Sequence, residues 1–173
     1  MAVVNVKSVT VTNYEAQPRV LSSGYFAGAN DIVANGIVTT GATDSANSTY
    51  RVGFIPSGAR IEDIQVQNDA NTAGTSYQLG VYYQTVDGGA VPVAGAAQIF
   101  ANAVTFATAR NVWTSIYNPS ILAAGGLPAN TNLRVWELLG LAADPFKEYH
   151  LVWTAVTPGT AGGNIATQYT YVK

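Results

Sequence analysis

The segment SYQLGVYYQTV, Ser76 to Val86, places Tyr77, Leu79, Val81 and Tyr83 on one face of an extended chain. Period two belongs to a strand with one covered side, and a helix would scatter these four residues around its axis. The habit recurs in short runs rich in Val, Ile, Thr and Tyr, each closed by Gly, Pro, Asn or Asp. TYRVGFI, Thr49 to Ile55, aligns Tyr50, Val52 and Phe54, and the turn PSGAR then leads to a strand at Ile61 to Asn68. DIVANGIVTT, Asp31 to Thr40, reads as one strand or as two broken at Asn35-Gly36. A DGG turn at Asp87 to Gly89 leads into AVPVA, and NVWTSIY, Asn111 to Tyr117, is a further strand. The runs Glu148 to Thr157 and Ile165 to Val172, joined by PGTAGGN, read as a closing hairpin. About eight strands at regular spacing, with no long helix, predict an all-β sandwich, jelly roll or barrel.

Two segments depart from this rhythm. Residues 1–23 carry few large apolar side chains and include Pro18. Their β-branched run VVNVKSVTVTNY predicts an extended N-terminal arm that joins a sheet edge or reaches a neighbouring subunit. Residues 24–173 then form the sandwich domain, in keeping with the length of one domain. The second departure is NLRVWELLGL, Asn132 to Leu141. As a strand it would set one charge on each face. As a helix it gathers Leu133, Trp136 and Leu139, with Asn130, Thr131 or Asn132 as cap, Gly140 at the left-handed terminal position and Pro145 blocking continuation. The reading is a two-turn helix, too short to stand alone, that plugs one end of the β-core through those three residues. Glu137 and Arg134 sit three apart and can pair across one turn.

Composition narrows the function classes. Charged residues make up 10% of the chain, against about 25% in ordinary soluble domains. A surface poor in Lys, Glu and Asp but rich in Tyr, of which there are ten, has the composition of an interface core. This predicts an assembly protein, with an uncharged extracellular β-protein as the alternative. Net charge is −2 and no basic run exists, so binding along a nucleic-acid backbone is not expected. No apolar run approaches the roughly 18 residues of a membrane span, and MAVVNVKSVTVTNYE does not read as a signal peptide.

Candidate chemistry is sparse. There is no Cys, so thiolate catalysis, thiolate metal sites and disulfides are excluded. His150 is the single histidine and sits inside a predicted strand, as a packed or solvated residue. No Gly-X-Ser-X-Gly elbow and no Gly-Lys-Ser/Thr phosphate loop occurs. The acids Glu62, Asp63 and Asp69 lie near Asn68 and Asn71 but lack the spacing of an EF-hand loop. No catalytic, cofactor or metal residue is assigned. Of the tyrosines on predicted strands, Tyr82, Tyr83, Tyr149, Tyr169 and Tyr171, half should point outward, toward solvent, a sugar or a protein partner.

Three stretches, VTVTNYEAQPRVL, YRVGFIPSGARIEDIQVQND and RVWELLGLAADPFKEYHLVWTAVTPGTAGG, resemble small tailed-bacteriophage structural proteins that accompany the major capsid protein. The resemblance spans nearly the whole chain. It implies a capsid decoration or cement protein with a jelly-roll-like β-sandwich. Such a protein sits on the exterior of the expanded shell and is assembled in the host cytoplasm, where disulfides give no help. The partners it implies are the major capsid protein and further copies of the chain, as a dimer or trimer at local symmetry axes. Interface residues are then expected on the arm, Val9, Val11, Tyr14, Arg19 and Val20, and among exposed aromatics, Tyr25, Tyr82 and Tyr171. The rival reading is a glycan-binding β-sandwich module of a phage tail or spike, which shares the fold class, the tyrosines and the low charge.

Overall fold

The computed structural model describes residues 3–17, 31–84, 96–117 and 133–173. Its strands are β1 (Asn5–Lys7), β2 (Asp31–Thr40), β3 (Thr49–Pro56), β4 (Arg60–Asn68), β5 (Ser76–Tyr83), β6 (Ala101–Val104), β7 (Arg110–Ser115), β8 (Glu148–Thr157) and β9 (Gly163–Val172). Two short helices, α1 (Val9–Glu15) and α2 (Val135–Leu138), accompany them. One sheet runs β1-β3-β8-β5-β6 and the other β2-β9-β4-β7. Apart from β1, these are two interleaved sets of four, and the chain changes sheet at every connection from β2 onward except β5 to β6. That order is a jelly roll. The expected all-β sandwich is the fold, and Asp31–Thr40 is one unbroken strand.

The core lies between the sheets. Trp153 of β8 is fully buried, and its indole N–H donates to Thr167 Oγ1 of β9 in the facing sheet at 2.9 Å. Phe106 meets that indole edge-on at 5.1 Å, and Tyr77 packs on Phe106 at 4.9 Å. Two of the core tyrosines, Tyr169 and Tyr50, are accommodated by giving each hydroxyl a partner. The Tyr169 hydroxyl donates to Phe54 O at 3.0 Å and accepts from Phe54 N–H at 3.1 Å. Tyr50 Oη lies 2.5 Å from Asp44 Oδ2.

Four expectations are corrected. The last two strands are not a hairpin: β8 is flanked on both sides by β3 and β5, so β9 crosses the core to pair with β2 and β4. The connecting loop is held over the end of the sandwich by Thr72 Oγ1, which accepts from Thr160 and Ala161 N–H. Secondly, Tyr50, Val52 and Phe54 do not share a face. A bulge at Val52 shifts the register against β8, so Ile55 joins Tyr50 and Val52 in the core and Phe54 turns outward.

Thirdly, the N-terminal arm is extended only in part. Val9–Glu15 is helical despite its β-branched residues. Ser8 Oγ caps it by accepting from Val11 N–H at 3.3 Å, and the same hydroxyl donates to the bulge carbonyl of Val52 at 3.0 Å. Complete burial of Val11 under this strap outweighs the local preference for strand. Before it, β1 pairs in parallel with β3, so this part of the arm docks on its own subunit. Finally, α2 is one turn, not two. Glu137 Oε2 accepts from the Arg134 backbone N–H at 2.7 Å. Gly140, at φ +69°, and Leu141 close a Schellman motif on Glu137 O and Trp136 O. Strand β6 was not foreseen, and the DGG turn with AVPVA lies outside the described residues.

Candidate functional site

Three outward surfaces stand out among the described residues. The first is the outer face of the four-stranded sheet. Strand register lines its side chains into rows. Asn35 pairs with Gln168, Gln168 with Gln65 and Gln65 with Ser115, an uncharged row across all four strands. On one side lies the row Val33–Thr170–Asp63, on the other Ile37–Ala166–Gln67. Val33 and Ile37 are 46% and 59% exposed, and Trp113 of β7 is 39% exposed. Asp63 is the one carboxylate in these three rows, and Ile64 N–H, Gln65 Nε2 and Ser115 Oγ donate to it. At one end an open depression of about 360 Å³ lies among Ile37, Gln67, Arg110, Asn111 and Asn164. Arg110 is fixed there by Asn68 Oδ1 at 2.7 Å and Thr105 O at 2.9 Å.

The second surface is the outer face of the five-stranded sheet, which the strap covers. Bulge and alternation together send Arg51, Phe54, Tyr82, His150 and Thr154 to this side, and all five are buried. Glu15 at the end of α1 gathers the charges. Its carboxylate lies 2.5 Å from Lys7 Nζ, 3.9 Å from Arg51 Nη1 and 3.5 Å from His150 Nε2. The His150 ring packs on Phe54 at 4.8 Å, and neither ring nitrogen has a hydrogen-bond partner among the described residues. Burial, reinforced by the Arg51 guanidinium, holds its pKa down at about 4 against the pull of Glu15. The imidazole is thus a fully buried residue packed beneath the strap.

The third surface is the end that carries α2. Val135, Leu138 and Leu139 are buried there. Leu133 packs partly against the core and Trp136 is half-buried, so the plug rests more on Val135 and Leu138 than on Trp136. The loop from α2 to β8 is pinned to Ser57. Ser57 Oγ donates to Asp144 Oδ1 at 2.5 Å and accepts from Lys147 N–H at 3.0 Å, while Ser57 N–H donates to Lys147 O at 2.7 Å. Phe146 N–H donates to the same Asp144 oxygen at 2.9 Å. The pinned loop thrusts Phe146 into solvent, 90% exposed and at φ +51°.

The residues expected at an interface divide. Val11, Tyr82 and Tyr171 are buried within the subunit. Val11 lies under the strap, Tyr82 bonds Thr154 at 2.6 Å, and Tyr171 stacks on Tyr169 in the core. They are thus corrected from surface to interior. Burial pushes the Tyr171 pKa up to about 12 and that of Tyr169 higher still. Val9 and Tyr14 lie on α1. Arg19, Val20 and Tyr25 lie outside the described residues. The amide rows and Phe146 carry only faint signals in the sequence. The rows are visible as the alternating glutamines of IQVQ and the alternation of ATQYTY, and Phe146 follows an Asp-Pro turn signal.

No family profile matches the sequence, and no curated protein matches it. Solved structures do share the fold. A chain of the Ralstonia phage GP4 capsid superposes with a TM-score of 0.62 at 12% identity, covering 98% of this chain and 97% of that one. A chain of the cyanophage Pam1 capsid asymmetric unit gives 0.52 at 16% identity, covering 89% and 92%. The likeness is therefore between whole chains of nearly equal length, and at these identities it is a likeness of fold.

Proposed function

We propose that the chain is a structural virion protein of the decoration or cement type. It binds the exterior of the expanded phage shell and stabilises it by bridging major capsid protein subunits. The observation that carries this reading is the end-to-end likeness to chains of two phage capsids. The outer face of the four-stranded sheet supports it. Its central rows offer amides, hydroxyls and aliphatic groups around one engaged carboxylate, the composition of a surface that meets protein. Bridging works by mass action. Each contact can be weak, but a clamp that touches two subunits at once gains effective concentration when their spacing matches the expanded lattice. Binding one lattice state in preference to another stabilises that state.

The test is co-sedimentation of the purified protein with unexpanded and expanded shells, each assembled from the major capsid protein alone. The expected result is saturable binding to expanded shells, at a copy number approaching that of the capsid subunit, with a raised shell melting temperature. Equal binding to both shells, or none, refutes the reading. A glycan-binding role is the second reading, favoured by the amide-lined depression on the sheet face that carries Trp113. Hits on a glycan array without shell binding would establish it instead.

A further inference from the structure

We infer that β7 is a docking edge for a second copy of this chain, which pairs with it strand to strand about a two-fold axis and joins the two four-stranded sheets. The inference stands apart from the decoration reading and is tested without shells. A strand at the end of a sheet offers unpaired N–H and C=O groups, and proteins blunt such edges by shortness, charge, proline or cover. Three of the four sheet ends are blunted. β1 has three residues and β6 has four. β2 runs against the bulge of β3, where a Cβ on Gly36 would meet Val52 O at 1.8 Å. Among the described residues β7 has none of these devices. It is six residues long, with no proline and one charge. That charge is turned back into its own subunit. The Arg110 guanidinium donates to Asn68 Oδ1 at 2.7 Å and Thr105 O at 2.9 Å, and lies over the Phe106 ring.

The ladder shows which groups face outward. Ile116 N–H donates to Ile64 O at 2.8 Å, and Thr114 pairs with Val66. Alternate residues of an antiparallel strand bond the same neighbour, so Trp113 and Ser115 turn their N–H and C=O away from β4. The side chains add a second sign. Val66 is buried, so its partner Thr114 projects from the core side of the sheet, as does Val112 two residues away. Val112 is nevertheless 70% exposed. A β-branched apolar side chain on the core side, past the rim of the core, is where a further strand would give cover.

The occupant must be extended, uncharged and able to bond outward, and β7 itself meets all three demands. A two-fold axis normal to the sheet sets two β7 strands antiparallel and keeps core side on core side. Centred on Trp113, it lets that residue exchange both main-chain bonds with the partner's Trp113, and Asn111 with the partner's Ser115. Val112 then lies against the partner's Thr114, a β-branched pair on the core side. From Asn111 to Ser115 no charge occurs, so none meets its like. Such an isologous contact closes at two subunits.

The experiment compares wild type, Val112→Lys and Ile37→Lys by sedimentation over a range of concentrations. Ile37, 59% exposed on β2 at the other end of the same sheet, is the control. Wild type and Ile37→Lys are expected to form a dimer of the 18.1 kDa chain. Val112→Lys sets two ammonium groups beside each other across the seam, and its dimer should be at least tenfold weaker, with the melting temperature of the dilute, monomeric protein unchanged. Amide hydrogen exchange at Trp113 and Ser115 should slow as wild type is concentrated. A monomer at every concentration, or a trimer, overturns the proposal. So does a Val112→Lys dimer within twofold of wild type, which would place the interface elsewhere, or a lower monomer melting temperature, which would make Val112 structural. Protection of the Trp113 and Ser115 amides that is the same at all concentrations overturns it too, since the edge would then be covered within one subunit.

Discussion

His150 should give the fold a pH dependence that one substitution removes. The ring is buried among charged neighbours from three elements, Arg51 on β3, Glu15 on α1 and Lys7 on β1, with Tyr82 alongside on β5. Its pKa falls from the ordinary 6.5 to about 4. Above pH 6.5 the ring is neutral in both folded and unfolded chains and costs nothing. As pH falls from 6.5 toward about 4, the unfolded chain binds a proton that the folded chain refuses, so stability declines. Below about 4 both forms are protonated and the decline levels off. A shift of this size corresponds to roughly 3 kcal/mol, at about 1.4 kcal/mol per pH unit. To isolate this contribution from that of every other ionisable group, wild type is compared with His150→Gln, which cannot be protonated there. Urea unfolding from pH 7.5 to 4 should show wild type losing roughly 3 kcal/mol more than the variant. Because the chain has one histidine, its Cε1–H resonance is a clean second readout. Parallel stability curves, or a native-state titration midpoint near 6.5, would refute the reasoning.

Four further outcomes are expected. Gly36→Ala sets a Cβ 1.8 Å from the Val52 carbonyl oxygen, where backbone must move, and should destabilise by about 2–3 kcal/mol in urea unfolding. Tyr169→Phe removes the hydroxyl that bonds both the N–H and the C=O of Phe54 beside the bulge, and should cost about 1–3 kcal/mol by the same assay. Phe146→Asn relieves left-handed strain without losing burial, and calorimetry should show a gain of about 0.5–1 kcal/mol. Ile37→Glu with Gln168→Glu puts two charges on the central rows of the open sheet face, and should weaken shell binding at least tenfold with little change in melting temperature.

Much of the sandwich was legible because burial on one side imposes period two. Tyr77, Leu79 and Val81 show this, and all three are core residues. Strand order was not legible. The local chemistry of PGTAGGN suits a hairpin, and only the occupation of both sides of β8 sends β9 across the core. The strap was misread for a related reason. Val9, Thr10, Val11 and Thr12 favour strand individually, but Ser8 supplies a cap and the sheet supplies a surface for Val11. The tyrosines were hardest. Alternation predicts that Tyr82 faces away from the core and Tyr171 toward it once their strands are placed. Nothing local says that a strap and the turn at Ala96–Gln98 cover the outer face as well. The Phe146 knob escaped notice because its distinguishing property is a backbone angle.

The placement of the strap also bears on how the proposed contacts with other subunits are made. An extended arm suggests strand addition to a neighbour, with main-chain hydrogen bonds as the glue. Here the first strand is spent on its own subunit: β1 adds three residues beside β3, and Ser8 N–H then donates to Arg51 O before the chain turns into α1. At the opposite edge of that sheet, β6 has four residues. Short edge strands resist edge-to-edge pairing, a hazard that a chain with 10% charged residues can hardly suppress by charge. The strap therefore works as edge protection and as a cover for Arg51 and His150. On the decoration reading proposed above, the contacts with the shell rest on side-chain surfaces instead, and the amide rows of the four-stranded sheet present one on a rigid support.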